Sequence, residues 1–234
     1  MILAAGEGRR MRPLTDNTPK PLLEVGGKSL IQHQIERLKA AGIEDMLINL
    51  AYLGEQIEAY LGDGSALGVN LTYSTEPYPL ETGGAISKAM DYLGASSFIL
   101  ANADVWSDFD YSNLLSQPLV SSNSLARLVM VRNPGFHKTG DFALDRDGLL
   151  RLAGEGTDGG AYTYSGMALM SPALISEYPE RREKFPLREV FDRAINRGQI
   201  EGVVHSGAWR DIGTPERLRE LDVFLLGGLD PSAP

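Results

Sequence analysis

Leu3-Ala4-Ala5-Gly6-Glu7-Gly8-Arg9-Arg10-Met11-Arg12-Pro13-Leu14-Thr15, continued by Thr18-Pro19-Lys20-Pro21, reads as a short apolar strand running into a glycine-rich, arginine-bearing turn. Glycines lack a β-carbon, so the backbone can approach a polyphosphate closely and aim N–H groups at its oxygens. Arg10 and Lys20 add mobile positive charge of the kind that phosphoryl and nucleotidyl transfer requires. Two familiar glycine motifs fail on spacing. A dinucleotide-binding G-x-G-x-x-G frame would need glycine where Met11 stands, and a Walker loop ending at Gly27-Lys28-Ser29 would need it at Leu22.

Outward from this stretch, apolar runs alternate with helical patterns, which predicts an α/β, Rossmann-like three-layer sandwich with a mostly parallel central sheet. Strands are expected at Met1–Ala5, Met46–Leu50, Val69–Tyr73 and Phe98–Ala101. Between them, Ser29 opens a helix with Gln32 placed for a capping box and Ile31, Ile35 and Leu38 on one face. Leu53–Leu61 forms a second helix, and Thr82 caps a third that carries Ile86, Met90 and Leu93 inward. This βαβαβαβ order places the glycine turn and Asp104 at carboxyl ends of strands, where such sheets bind ligands.

The second half is less regular. It predicts a strand at Ala126–Val131, a hairpin around Asp145-Arg146-Asp147-Gly148, and a strand at Tyr162–Met170. Helices follow at Pro172–Tyr178 and Leu187–Asn196, then strands at Ile200–Val204 and Trp209–Ile212. Thr214-Pro215 opens a last helix. A single domain is expected over 1–226, with halves 1–110 and 111–226, and a flexible tail at 227–234.

The net charge of −9 argues against a nucleic-acid partner, since such binding neutralises phosphates with basic side chains. Arg9, Arg10, Arg12 and Lys20 could still form a local basic patch. The absence of cysteine excludes disulfides, cysteine nucleophiles and thiolate metal sites. His33, His137 and His205 are too scattered for a histidine metal site or a Ser-His-Asp triad. No apolar run approaches the ~20 residues of a membrane span, and no signal-peptide pattern precedes the first strand, so a cytoplasmic protein is expected. The first strand is short enough that a few residues are expected upstream.

Asp104 follows an apolar strand in Asn102-Ala103-Asp104-Val105-Trp106, where an acid is either a turn cap or a Mg²⁺ ligand. Asp211, in Trp209-Arg210-Asp211-Ile212-Gly213-Thr214, has the same two readings, although Thr214 is the better cap.

The run L-A-A-G-x-G-x-R-M-x-P-L-T-x-x-x-P-K-P resembles the signature of the sugar-1-phosphate nucleotidyltransferases, or nucleotide-sugar pyrophosphorylases. The resemblance implies that Arg10 contacts the leaving phosphates and Lys20 the phosphate near the reacting phosphorus. Leu3, Ala5, Gly6, Gly8 and Asn102 would line the nucleotide. Leu80-Glu81-Thr82-Gly83-Gly84 resembles the family's base-recognition turn, with Glu81 or Thr82 bonding the base edge and Gly83 letting the base lie on backbone amides. Gly140-Asp141-Phe142 and Tyr164-Ser165-Gly166 stand where relatives hold the sugar, in a smaller β-rich insertion. Asp104 and Asp211 match the two metal-binding aspartates, which implies Mg²⁺ as cofactor.

Across nearly the whole chain the motifs are most similar to the N-acetylmuramate α-1-phosphate uridylyltransferase subgroup. That similarity implies UTP and N-acetylmuramic acid 1-phosphate as substrates, UDP-sugar and pyrophosphate as products, and a role in cell-wall recycling. A monomer or small homo-oligomer is expected. A guanylyltransferase for mannose or heptose 1-phosphate is the nearest alternative, and a non-catalytic nucleotide-sugar sensor is the alternative from another class. Two positions depart from the family pattern. Ala153-Gly154-Glu155-Gly156-Thr157 replaces a Glu-Lys-Pro step whose lysine grips the sugar phosphate, and Ala103 replaces a common glycine before the metal aspartate.

Overall fold

A computed structural model of the chain describes residues 1–116, 119, 123–153 and 160–227. The departure at Gly154–Thr157 and the tail beyond Gly227 lie outside these residues. In chain order the elements begin with β1 (Ile2–Leu3), β2 (Glu24–Val25), β3 (Lys28–Ser29), α1 (Leu30–Ala40), β4 (Asp45–Leu50) and α2 (Gly54–Leu61). Next come β5 (Asn70–Thr75), α3 (Glu81–Lys88), α4 (Met90–Leu93), β6 (Phe98–Asn102), β7 (Val105–Ser107) and α5 (Ser112–Leu115). They are followed by β8 (Ala126–Val131), β9 (Phe142–Leu144), β10 (Leu150–Leu152), β11 (Ala161–Met170) and α6 (Ala173–Ser176). The chain closes with α7 (Leu187–Ile195), β12 (Ile200–His205), β13 (Trp209–Asp211) and α8 (Pro215–Leu225).

Two compact units share these elements. The first gathers Met1, Leu80–Ala101 and Tyr111–Gly207; the second gathers Ile2–Pro79, Asn102–Asp110 and the described part of Ala208–Pro234. Halves divided at residue 110 do not coincide with them, because 80–101 packs with 111–207 and the chain from Ala208 rejoins the N-terminal segments.

In the second unit β1, β4 and β5 run parallel, with Ile2 opposite Ile48 and Leu50 opposite Thr75. Met46–Leu50 is a continuous buried apolar run apart from Asn49, as expected of a strand covered on both faces. The expected strand Met1–Ala5 is shorter because Ala4 donates its N–H to the Asn49 side chain rather than to a neighbouring backbone. Ser29 caps α1, its Oγ accepting from the Gln32 amide at 3.3 Å. Among the described residues the reciprocal half of the capping box is not made: the Gln32 side chain donates forward to Glu36, and its oxygen accepts from the Tyr60 hydroxyl at 3.4 Å. Gly26 and Gly27, at φ 58° and 77°, form the two-residue turn of the β2–β3 hairpin. The Gly27-Lys28-Ser29 tripeptide is therefore hairpin, not phosphate loop.

An apolar cluster in this unit gathers Met11, Leu23, Val25, Leu30, Trp106, Ile212, Leu218 and Leu221. It joins the glycine turn, the antiparallel β7–β13 ribbon and α8. Thr214 caps α8 by accepting from the Arg217 amide at 3.4 Å, with Pro215 as first helical residue.

In the first unit β8 and β12 are parallel, β9 and β10 form the expected hairpin, and β11 runs antiparallel to β6, β8 and β9. The helix expected from Thr82 to Leu93 is two helices separated at Ala89, and Thr82 is not its cap: Leu80 occupies that position. The strands and helices belong to the Rossmann-like α/β class, with a mixed, mostly parallel sheet. Among the described residues no helix is long and apolar enough to cross a membrane.

Candidate active site

The glycine turn is built from both ends. Gly8 sits at φ 60°, in the left-handed region, and its carbonyl accepts from the Met11 amide at 2.8 Å and the Thr15 hydroxyl at 2.9 Å. That winds Arg9–Met11 into a single 3₁₀ turn. Met11 drops into the apolar cluster, 1% exposed, while Arg10 remains exposed beside it. A β-carbon on Gly8 would press on Thr15 and Lys20, at 3.0 and 3.1 Å, but one on Gly6 would meet nothing within 4 Å. Protein packing thus explains Gly8 and leaves open space at Gly6. Leu3 pairs with Asn49 in the β1–β4 ladder, and Ala5 is buried just beyond it.

The expected four-cation patch does not form as such, because neighbouring acids claim most of it. Arg9 pairs with Glu7 at 2.5 Å, Arg12 with Asp16 at 3.3 Å, and Lys20 with Asp104. Among the described residues Arg10 takes part in no ion pair. Lys20 is itself buried, which a lysine tolerates when a carboxylate faces it.

Asp104 and Asp211 come together through backbone pairing. Ala103 donates to the Leu3 carbonyl at 3.0 Å, setting the start of this segment beside β1, and Gln34 holds the Asn102 carbonyl at 2.9 Å. Ile212 then donates to the Asp104 carbonyl at 3.0 Å, while Asp211 stands opposite Val105 in the ribbon. The two aspartates, separated by more than a hundred positions in sequence, therefore sit at one end of one ribbon. The cap readings fail: the Asp104 carboxylate takes Lys20, and Thr214 caps α8.

Asp211 is gripped by a residue the sequence reading missed. Arg217 donates to Asp211 Oδ2 at 2.5 Å and to the Asp211 carbonyl at 3.0 Å. A cation in the first turn of a helix opposes the helix dipole, and that anomaly was the available signal. A β-carbon on Gly213 would stand 2.6 Å from Arg217 Nη2, 3.1 Å from Asp211 Oδ2 and 3.2 Å from Arg10 Nη2. One glycine thus marks where both guanidinium groups and a carboxylate meet.

Among the described residues no cluster of three or more acids or histidines could hold a metal. Two carboxylates still fit a divalent ion of the Mg²⁺ type, which takes one or two of them and fills its shell with phosphate oxygens and water.

In the first unit, the turn at Leu80–Gly84 is engaged by the protein itself. Gly83 and Gly84 donate their amides to the Phe185 carbonyl at 2.9 and 3.1 Å, and the Thr82 hydroxyl accepts from the Leu187 amide at 2.9 Å. A β-carbon on Gly83 would strike the Phe185 ring at 2.5 Å, and one on Gly84 the Glu183 carbonyl at 2.4 Å. These glycines are demanded by packing, and their amides are already taken. Glu81 is exposed at φ 62°, a left-handed conformation costing a non-glycine residue about 1–3 kcal/mol and concentrated at functional sites.

The sugar-side residues are also engaged internally. A β-carbon on Gly140 would collide with Asn133 Oδ1 at 2.7 Å, and Asp141 accepts from the Tyr164 amide at 2.8 Å while facing His137 at 3.2 Å. Ser165 is 1% exposed and accepts from the Met167 amide, whereas Gly166 takes φ 83° where β11 loses register against β8. Burial pushes the Tyr164 phenol well above its ordinary range, and its hydroxyl has no hydrogen-bond partner among the described residues.

Residues 1–134 match the family model described as nucleotidyl transferase. The chain is 43% identical over 222 residues to an N-acetylmuramate alpha-1-phosphate uridylyltransferase of Neisseria meningitidis, covering 94% of this chain and 95% of that one. It is 34% identical to a mannose-1-phosphate guanylyltransferase of Mycobacterium tuberculosis, covering 99% of this chain and 66% of the relative. Among solved structures, HddC from Yersinia pseudotuberculosis superposes with a TM-score of 0.77 at 27% identity, over 94% of this chain and 96% of HddC.

Proposed function

The chain belongs to the nucleotidyl transferase family as a sugar-1-phosphate nucleotidyltransferase, and we propose that it condenses UTP with N-acetylmuramic acid α-1-phosphate, releasing pyrophosphate. The observation that carries this reading is the gathering of Arg10, Asp211 and Arg217 around Gly213, with the Lys20–Asp104 pair at the same end of the β7–β13 ribbon.

An oxygen of the sugar phosphate attacks the α-phosphorus, and the bond to the β-phosphate oxygen breaks. The nucleophile is already anionic, so no general base is needed. The obstacles are repulsion between two anions and charge accumulating on the leaving group. Arg10, in no ion pair among the described residues, neutralises the departing phosphates. Lys20 moves between Asp104 and the phosphate at the reacting centre. Asp104 and Asp211 would hold Mg²⁺, which supplies further charge stabilisation when bound. The open space at Gly6 is where phosphates approach the backbone, with Leu3, Ala5, Gly8 and Asn102 along the nucleotide. Glu81, held in a strained conformation, reads the base edge. Asp141 shapes the sugar loop. The enzyme works in the cytoplasm, as a monomer or small homo-oligomer, in cell-wall recycling.

Pyrophosphate release against a panel of nucleoside triphosphates and sugar phosphates tests the assignment. UTP with N-acetylmuramic acid 1-phosphate is expected to be preferred. The mycobacterial relative favours a guanylyltransferase as second reading, and turnover of GTP with mannose 1-phosphate but not of UTP would establish it instead. Asp104→Ala and Asp211→Ala are expected to abolish turnover with modest loss of nucleotide affinity, and wild-type rates in both would remove the metal-site assignment.

A further inference from the structure

The first amide beyond β1 is held by a side chain. Leu3 is paired with Asn49 across the β1–β4 ladder, and the next residue, Ala4, donates its N–H to Asn49 Oδ1 at 2.8 Å. The amide nitrogen of the same side chain donates to Glu76 Oε1 at 2.7 Å. Glu76 is anchored in turn, its backbone N–H donating to the Leu50 carbonyl at 2.7 Å, at the end of β4. Ala4, Asn49 and Glu76 are 3%, 3% and 4% exposed, so these bonds lie in the interior of the unit. A buried carboxylate is costly unless its hydrogen bonds are made, and a satisfied buried network is rigid.

We propose that Asn49 and Glu76 are positioning residues for the glycine turn: the relay Glu76–Asn49–Ala4 sets the direction in which the chain leaves β1 and thereby aims Gly6–Arg10 at the nucleotide phosphates. This rests on the nucleotide reading of the turn given above. The residue type follows from the two jobs. Asparagine accepts from Ala4 through its carbonyl oxygen and donates to a carboxylate through its amide nitrogen at the same time. Aspartate keeps the first bond and loses the second, and it sets two acids against each other in a dry site. Pairing that aspartate with glutamine at position 76 restores a donor and an acceptor across the middle bond, with its direction reversed.

The test compares wild type, N49D, E76Q and N49D/E76Q. Hydrogen exchange of the segment Leu3–Gly8 is followed in the protein without nucleotide, alongside kcat and KM for UTP. N49D is expected to raise exchange of this segment at least tenfold and KM for UTP by ~10–100-fold, with kcat changed much less. E76Q, which retains an acceptor, is expected to fall between wild type and N49D, and N49D/E76Q to recover at least tenfold of the KM loss together with slow exchange. If N49D does not fold, Asn49→Ser, too short to reach both partners, carries the same expectation. Unchanged segment exchange in N49D, or a double variant no better than N49D, would overturn the relay. A lowered unfolding midpoint with unchanged KM would likewise reduce Asn49 to a fold residue. Wild-type protein that neither binds nor turns over UTP refutes the nucleotide reading separately, and the exchange measurement still decides the relay.

Discussion

Replacing Gly213 with alanine adds one methyl group at the point where Arg217, Asp211 and Arg10 meet. The new carbon would stand 2.6, 3.1 and 3.2 Å from their nearest side-chain atoms, and all three are terminal atoms. The 2.6 Å contact cannot persist. Relief comes from swinging the guanidinium ends away, because the backbone here is not in the left-handed region and accepts alanine. Stability should therefore change by no more than about 1 kcal/mol, and the reduced freedom of the unfolded chain favours alanine by about 0.4–1 kcal/mol. Activity should respond far more. Losing a fully engaged electrostatic donor costs about 2.7–4 kcal/mol of transition-state stabilisation, and misplacing a group by about 1 Å can cost on the order of 100-fold. A fall in kcat/KM of ~30–300-fold is expected for G213A, or about 2–3.4 kcal/mol at 1.36 kcal/mol per tenfold. Initial rates of pyrophosphate release measure the first quantity, and urea unfolding the second. A variant with kcat/KM within threefold of wild type and an unchanged unfolding curve would show that these three side chains do not act together in the reaction.

The Arg127–Glu201 pair, joined by bonds of 3.0 and 2.8 Å and only 5% and 3% exposed, makes a stability prediction for the first unit. Arg127→Met alone should cost about 3–5 kcal/mol by removing the cation that faces a buried carboxylate, whereas Arg127→Met with Glu201→Leu should recover most of that in urea unfolding; equal losses would refute the argument. A pH prediction follows from Asp145. Burial opposes ionisation of its carboxyl, but the Leu149 amide, the Arg151 guanidinium and the Asp147 amide outweigh it and hold the group below the usual aspartate range. A depressed folded-state value contributes stability that is present above the ordinary pKa and lost as pH falls through the folded one. The gap in unfolding midpoint between wild type and D145N should therefore be steady down to about pH 4 and close below it, and a gap unchanged at about pH 2 would contradict the assignment.

What was legible in the sequence is what short-range chemistry decides. Ser29 and Thr214 could be read as caps because each bonds a backbone amide three residues away. The run at Ala126–Val131 could be read as a strand because six successive residues suit a covered β position, and all six are buried. The glycine turn could be proposed as phosphate-seeking, and its 3₁₀ winding at Arg9–Met11 is local too, because its bare backbone and arginines lie within one short segment. Thr82 shows the limit of such reasoning: a threonine before a helical pattern looks like a cap until an amide a hundred positions away, that of Leu187, takes its hydroxyl.

By itself, then, the chain's order of residues determined the α/β class and most element positions, and it singled out Arg10, Lys20, Asp104 and Asp211 as the residues proposed to bear the chemistry. Tertiary structure alone decided their partners. Lys20 faces Asp104 and Asp211 faces Arg217, while Arg9 and Arg12 are spent on neighbouring acids. It alone assigned Gly83 and Gly84 to packing against the Phe185 segment, and Asn49 to the root of the glycine turn. The physical reason is the reach of the forces. Capping and periodicity act over a few residues of one chain segment, whereas charge pairing and close packing depend on which distant segments the core brings into contact.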